Sequence, residues 1–266
     1  MKLSIITINY NNCSGLQKTL HSIISQTCRD FEWIVIDGGS SDGSRDIIEQ
    51  YQDEMAYWCS EPDNGIYHAM NKGIVMARGE YLQFLNSGDV FRDNRVVEDV
   101  FPYLKGSDIY LSNMYLLSQI GKPVVNPEDL LPSNILNTMI FRSIMHPSSY
   151  IKKECFEKYG KYDEKYHIVS DWWFFFKAIV INNVTVNYIP VISVVFDETG
   201  ISSSQPCLAL KERREVYREN KSLGQLMIFY QDNYEIIHAL KSNRVVFYFF
   251  RVYFCLYRKF HQRKTL

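Results

Sequence analysis

The chain has 266 residues, of which 46% are hydrophobic and 15% aromatic, so it can bury one sizeable core or two closely packed sub-domains. This composition excludes a predominantly disordered chain. The formal net charge of -1 gives no general attraction to nucleic acid or phospholipid, so we expect no nucleic-acid partner and only local basic sites.

The six cysteines form no C-x-x-C pair, which favours small buried side chains over a metal site. Met1 leads directly into a strand-like run rather than a secretory signal, so we expect a reducing, cytoplasmic environment. No uninterrupted apolar segment reaches the roughly 20 residues that span a bilayer. We therefore expect the chain to touch a membrane at most, without crossing it by a helix.

The first third of the chain alternates strand-like and helix-like patterns. Short apolar runs predict strands over 3–8, which is rich in β-branched residues, and over 31–36, 56–60 and 80–85. Apolar residues at helical spacing lie between them, most clearly over 64–77, where Asn64 or Asp63 can cap a helix. Parallel strands need such crossover helices, so the pattern predicts an α/β fold with a mostly parallel central sheet flanked by helices.

The rest of the chain is less regular. The pattern predicts strands over 108–115 and 184–195, a helix over 171–181, and a charged helical extension from Pro206 onward. We expect boundaries near residues 104 and 205, which divide the chain into three parts.

Acidic loops follow two of the predicted strands. The loop 37–44 (DGGSSDGS) combines glycines, which allow close backbone approach, with carboxylates and hydroxyls that accept from ribose or base groups. Asp89 ends a second loop, 86–89, and could hold a hard cation through oxygen. An ordinary capping turn and an Asx turn are the alternatives. The position of the two acidic loops favours a ligand site, because ligands bind beyond the carboxyl ends of parallel strands.

Four segments in this order resemble the family 2 glycosyltransferases of the GT-A fold, especially bacterial enzymes of exopolysaccharide and O-antigen (lipopolysaccharide) assembly, including the colanic-acid type. They are residues 4–11, 37–44, 61–74 and 84–89. The resemblance implies an inverting, hexosyl-type transferase that uses a nucleotide sugar, UDP by default and GDP possible. The acceptor would be a hydroxyl of an oligosaccharide or a growing, lipid-linked surface glycan.

The resemblance also implies a division of labour along the chain. Residues 1–104 would bind the nucleotide sugar, 105–205 the acceptor, and 206–266 would add C-terminal helices. Donor contacts are implied for Thr7, Asn9, Tyr10, Asp37, Asp63, Asn71, Lys72, Ser87 and Gly88.

Asp89 matches the last acidic residue of the family's DxD-like signature and would bind Mg²⁺ or Mn²⁺ at the diphosphate. Asn86 and Gly88 stand where relatives carry carboxylates, so the metal would rely on water and phosphate oxygens, which suits Mg²⁺. His68 stands where an acidic residue is usual, and we assign it no role.

Asp171 opens a predicted helix, where a carboxylate could simply be an N-cap. The resemblance implies that it is the general base that deprotonates the acceptor hydroxyl. His146, beside a proline, could contact the phosphates or the acceptor, or be structural. Residues 200–202 resemble a loop that closes over the donor. The alternative functions are a catalytically silent binding protein and a nucleotidyltransferase on a related fold. A nucleotidyltransferase would carry a glycine-rich, basic phosphate loop after the first strand, and this chain has none there.

The C-terminal segment 244–264 mixes aromatic and aliphatic residues with seven Lys or Arg. This pattern is typical of a helix that lies at a membrane surface, although a helix packed on the domain would also fit. We therefore expect a peripheral protein at the inner face of the cytoplasmic membrane. The sequence leaves the donor sugar, the linkage and the oligomeric state open.

Overall fold

The computed structural model describes residues 1–122, 135–200 and 204–220, together with Gly224 and Val252. The strands are β1 (Leu3–Asn9), β2 (Phe31–Asp37), β3 (Tyr57–Ser60), β4 (Tyr81–Phe84), β5 (Val90–Phe91), β6 (Ile109–Leu116), β7 (Ser149–Lys152) and β8 (Val186–Phe196). The α-helices are α1 (Cys13–Ile24), α2 (Ser44–Gln50), α3 (Ile66–Met76), α4 (Val96–Val100), α5 (Ile135–Phe141), α6 (Lys153–Tyr159), α7 (Ser170–Phe175) and α8 (Pro206–Glu219). A π-helical segment, Phe176–Ile181, continues α7, and short 3-10 turns lie at Gln52–Glu54, Phe101–Tyr103, Leu117–Gln119 and His146–Ser148.

Within the described residues the strands form one sheet in the order β3-β2-β1-β4-β7-β6-β8-β5. Pairing is parallel from β3 through β2 and β1 to β4, and again between β6 and β8. β7 runs antiparallel to β4 and β6, and β5 runs antiparallel to β8. The predicted α/β architecture is confirmed. Because β1, β2 and β4 run the same way, their carboxyl ends and acidic loops meet at one edge.

Hydrophobic cores lie on both faces of the sheet. Alternate residues of β1 point to opposite faces, so Ile6 joins the core under α3 while Ile5 joins the core under α1. α3 approaches β1 closely because Gly73 has no side chain: a Cβ there would lie 2.5 Å from Cγ2 of Ile6. Residues 1–104 and 105–205 share this sheet, since β4 pairs with β7 and β5 with β8.

One expected helix cap is wrong, and one alternative interpretation, the N-cap role of Asp171, is excluded. α3 follows Gly65, whose positive φ of 114° turns the chain into the helix without a side-chain cap, so neither Asp63 nor Asn64 caps it. Asp171 is not an N-cap, because α7 begins at Ser170 after Val169. The predicted helix over 171–181 also changes from α-helical to π-helical hydrogen bonding at Phe176.

The predicted helical extension is confirmed over Pro206–Glu219, whereas the basic aromatic segment 244–264 and residues 201–202 lie outside the described residues. No helix in the described part of the chain is long and apolar enough to cross a membrane. Of the described cysteines only Cys155 is buried, and Cys207 is exposed, so the expectation of uniformly buried cysteines is wrong.

Candidate functional site

A cavity of about 1010 Å³ lies at the carboxyl edge of β1, β2 and β4 and extends to α7 and α8. Its size is at the upper end of typical small-molecule sites, which reach about 1,000 Å³. Of the predicted site residues, those lining it are Asn9, Tyr10, Asp63, Ser87, Asp89, His146 and Asp171. The parallel topology thus brings together motifs from both halves of the chain.

One end of the cavity combines an aromatic ring with a free acceptor. A Cβ on Gly38 would lie 3.1 Å from Cδ2 of Tyr10 and 3.3 Å from Oδ2 of Asp63, so both side chains flank this glycine. Oδ1 of Asp63 contacts Nζ of Lys72 at 2.7 Å and Nδ1 of His68 at 3.0 Å. Oδ2 is buried without a hydrogen-bond partner. This end can stack a planar ring and accept one N–H group.

The Asp37 carboxylate lies fully buried below this end of the cavity. It accepts hydrogen bonds from Nδ2 of Asn9 at 2.7 Å, from the amide and hydroxyl of Ser40 at 2.9 and 2.6 Å, and from the hydroxyl of Ser60 at 2.6 Å. Burial alone would raise the pKa of Asp37, but these hydrogen bonds lower it. Asp37 therefore fixes the loop, and Gly38 is the neighbour that lines the cavity.

Three other predicted donor residues make structural contacts. Thr7 is fully buried, and its hydroxyl donates to the carbonyl of Leu85 at 2.8 Å. Asn71 exchanges hydrogen bonds with the backbone of Tyr162, at 2.9 and 3.1 Å, and ties α3 to the segment before α7. Lys72 pairs with the carboxylates of Asp63 and Glu61 rather than facing the cavity. Burial opposes the charge of Lys72, but these two carboxylates raise its pKa. These side chains stabilise the walls.

Asp89 lies opposite a second carboxylate that the sequence did not identify. It is 3% exposed, and its Oδ1 accepts the backbone N–H of Asp197 at 3.0 Å. Gly88, with φ of 107°, leaves room for Asp197, whose Oδ2 would lie 3.1 Å from a Cβ at that position. Burial raises the pKa of Asp89 to about 7, the Asp197 charge adds to this, and the Asp197 amide and His146 act against it.

This pair of carboxylates fits a hard divalent cation. A buried carboxylate that receives so little hydrogen bonding is destabilised when ionised, and a cation bound through oxygen would relieve that. Among the described residues no cluster of three or more His, Cys, Asp or Glu side chains is arranged to hold a metal. The smaller group formed by the two carboxylates of Asp89 and Asp197 could hold a cation. The sequence signal for Asp197 was its place directly after β8, whereas Asp89 was identified at the end of the loop that follows β4.

Asp171 has the opposite environment. Its Oδ1 lies 2.9 Å from the hydroxyl of Tyr67, and its Oδ2 lies 3.4 Å from Nδ1 of His146. Burial would raise the pKa of Asp171, but the hydrogen bond and charge of His146, the amide of Trp172 and the Tyr67 hydroxyl lower it. An ionised carboxylate at the cavity wall can accept a proton from a bound hydroxyl.

His146 connects the two carboxylate regions. It opens the 3-10 turn before β7, and its Nε2 lies 3.2 Å from Nδ2 of Asn86, in the loop that carries Asp89. The predicted contact of His146 with phosphate or acceptor stays a prediction. Tyr67 was missed although it lies inside a recognised motif; its hydroxyl, 2.5 Å from the carbonyl of Ile168, holds α3 against the start of α7.

Comparison with known proteins identifies the family. The model of "Glycosyl transferase family 2" matches residues 4–170. An uncharacterized glycosyltransferase of Mycobacterium tuberculosis is 31% identical over 234 residues, which cover 84% of this chain and 83% of the relative. A PGL/p-HBAD biosynthesis glycosyltransferase of Mycobacterium bovis is 26% identical over 204 residues, covering 74% of this chain and 77% of the relative.

Solved structures share the fold. The chain resembles S. aureus TarS in complex with UDP-GlcNAc with a TM-score of 0.63 at 21% identity, over 77% of this chain and 61% of TarS 1-349. It resembles the mannosyltransferase PcManGT from Pyrobaculum calidifontis, in complex with GDP-Man and Mn²⁺, with a TM-score of 0.62 at 15% identity, over 82% and 64%. The chain spans less than two thirds of either structure. The predicted GT-A fold is confirmed.

Proposed function

Because this chain belongs to glycosyl transferase family 2, we propose that it moves a sugar, with inversion, from a UDP-sugar to a hydroxyl of a lipid-linked bacterial surface glycan of the exopolysaccharide or O-antigen type. The observation that carries this proposal is the Asp171 carboxylate, contacted by Tyr67 and His146, on the wall of the cavity that also contains Asp89. A base and a candidate diphosphate site within one cavity are what a single displacement requires.

The nucleobase is assigned to the end formed by Tyr10 and Asp63. The Tyr10 side chain is 69% exposed and free to stack on a base, and Oδ2 of Asp63 can accept N3–H of uracil. Cytosine presents a lone pair at that position and would be repelled. Guanine also offers an N–H, so a GDP-sugar is the second candidate. Asp37 would then act on the nucleoside through the loop that it fixes.

A divalent cation, Mg²⁺ or Mn²⁺, would be held by Asp89 and Asp197 together with phosphate oxygens. When bound it neutralises charge on the departing nucleoside diphosphate. Asp197 supplies the second carboxylate that Asn86 and Gly88 lack, so the site is less dependent on water than the sequence suggested. Asp89 must lose its proton before it can coordinate a cation, which links metal binding to pH.

Asp171 takes the acceptor proton. As the acceptor oxygen attacks the anomeric carbon, its O–H proton passes to the Asp171 carboxylate and the bond to the diphosphate breaks, which inverts the configuration. Tyr67 and His146 each hold one oxygen of Asp171, which fixes the direction of its lone pairs. Segment 244–264 is proposed to keep the protein at the inner membrane surface, where a lipid-linked acceptor resides.

The test is Asp171→Asn, with Asp46→Asn on the exposed face of α2 as the matched control. The amide keeps the shape of the side chain but cannot accept the proton, so we expect transfer to fall at least about 1,000-fold. UDP affinity, measured by calorimetry with Mg²⁺, should stay within about two-fold of wild type, because the proposed diphosphate site lies at Asp89 and Asp197 rather than at Asp171. A near wild-type transfer rate for Asp171→Asn would overturn the general-base role.

A further inference from the structure

Helix α8 places a partly buried arginine, Arg213, on the wall of the cavity. Its guanidinium carbon lies 4.8 Å from the centre of the Trp172 ring. One terminal nitrogen donates to the carbonyl of Arg142 at 3.0 Å and the other to the carbonyl of Ile140 at 3.4 Å. The side chain is therefore held in one position against α7 and the end of α5.

The charge of Arg213 is only partly compensated. Arg213 forms no ion pair with a carboxylate of the described residues, and its Nε–H is buried without a partner. Burial lowers the pKa of Arg213, while Tyr217 and the charge of Asp171 act against that change. Two backbone carbonyls satisfy two of its five N–H donors, so a bound anion would offset the remaining desolvation of the cation.

We propose that Arg213 binds an oxyanion of the acceptor, a phosphate or carboxylate group on the sugar whose hydroxyl reacts at Asp171. The planar guanidinium matches the geometry of both groups, and charge-assisted hydrogen bonds are stronger than neutral ones. This inference rests on the proposed function, because it assumes that Asp171 faces an acceptor.

The donor diphosphate is a poorer candidate for this cation. The candidate cation site lies at Asp89 and Asp197, beyond β4 and β8, whereas Arg213 contacts Trp172 of α7 and the end of α5. Arg213 thus shares its side of the cavity with Asp171. Two acceptors carry a suitable anion: a sugar phosphorylated at its anomeric oxygen, as on a lipid carrier, and a uronic acid.

The first experiment uses the wild-type protein saturated with UDP and Mg²⁺, so that the donor site is filled. Calorimetry compares glucose 1-phosphate, glucuronic acid and the uncharged methyl glucoside. We expect at least one anionic sugar to bind ten-fold or more tightly than the glucoside. Tighter binding of glucose 1-phosphate would identify a phosphorylated acceptor, whereas tighter binding of glucuronic acid would identify a uronic acid. If neither anion binds more tightly than the glucoside, the inference is wrong.

The second experiment removes the cation. Arg213→Met keeps an apolar stem on Trp172 and should weaken binding of the anionic sugar about 10- to 100-fold, while Arg214→Met, the exposed neighbour on α8, should not. Arg213→Lys keeps the charge without the fork and should lose several-fold, which provides a second reading if Arg213→Met does not fold. Anion affinity of both Arg213 variants equal to wild type would overturn the inference. Failure of the wild-type protein to bind UDP with Mg²⁺ would instead count against the proposed function.

Discussion

Asp89 and Asp171 are both buried carboxylates of one cavity, yet their surroundings move their pKa values in opposite directions. Asp89 receives one backbone N–H and faces Asp197, so burial raises its pKa to about 7. Asp171 is contacted by Tyr67 and His146, which lower its pKa in spite of burial. The protein itself stabilises the charge of one carboxylate and leaves the other without enough donors.

This difference gives a physical reason for the two separate tasks that the family resemblance implies for these residues. A carboxylate that lacks donors is stabilised by a cation, whereas one that is already ionised can accept a proton without a cation. The cavity therefore has one acidic region suited to metal and diphosphate and another suited to proton transfer. The predictions below test this assignment.

After Asp171→Asn, the largest effect is expected for Asp89→Ala, which removes the proposed metal ligand. UDP binding in the presence of Mg²⁺ or Mn²⁺ should weaken about 100-fold, while the weak binding of UDP in EDTA should not change. Calorimetry with and without metal measures both values. Equal losses in the two conditions would mean that Asp89 supports the fold of the loop rather than a cation.

The second prediction concerns His146→Ala, with the exposed His21→Ala as control. Loss of the Nδ1 contact should misplace Asp171 and reduce kcat roughly 10- to 100-fold. Because His146 lowers the pKa of Asp171, its removal should also shift the acidic limb of the pH–rate profile to higher pH. A lower kcat with an unmoved acidic limb would contradict the proposed link between His146 and the base.

The third prediction is that Asp197→Asn weakens Mn²⁺ binding to the UDP complex about 10-fold. The amide keeps an oxygen near Asp89 but loses the charge. Electron paramagnetic resonance of Mn²⁺ measures the affinity directly, and Asp46→Asn again serves as control. Unchanged affinity would leave Asp89 as the single carboxylate of the site.

The last prediction concerns the stability of the metal-free protein rather than its activity or metal affinity. Since the folded-state pKa of Asp89 is above its ordinary value, the folded state retains a proton that the unfolded chain has released, and stability falls as pH rises from about 4 through 7. Asp89→Asn should therefore gain roughly 2 to 3 kcal/mol relative to wild type between pH 5 and 8. Chemical denaturation in EDTA at pH 5 and 8 measures the free energy of unfolding of both proteins. An equal change in that free energy with pH for the two proteins would contradict the prediction.

Local patterns were sufficient for the sheet and for part of the site. Apolar runs predicted β1, β2 and β4 to within two residues, and the acidic loop that follows β4 predicted Asp89 at the cavity. The pattern failed at the start of α3, where both Asp63 and Asn64 were plausible caps and Gly65 precedes the helix instead. The Asp63 carboxylate contacts Lys72 and His68 instead of capping the helix. These contacts compete with the cap and exist only after the helix has formed.

Amino-acid order alone thus determined the α/β layering, the glycines that allow close approach, and the carboxylates beyond the strand ends, because these follow from patterns a few residues long. Tertiary structure decided which polar groups meet: Asp197 beside Asp89, His146 between Asn86 and Asp171, and Arg213 at the cavity. The charge state of each carboxylate depends on its neighbours within a few ångströms, and those neighbours come from distant segments that only the folded sheet brings together.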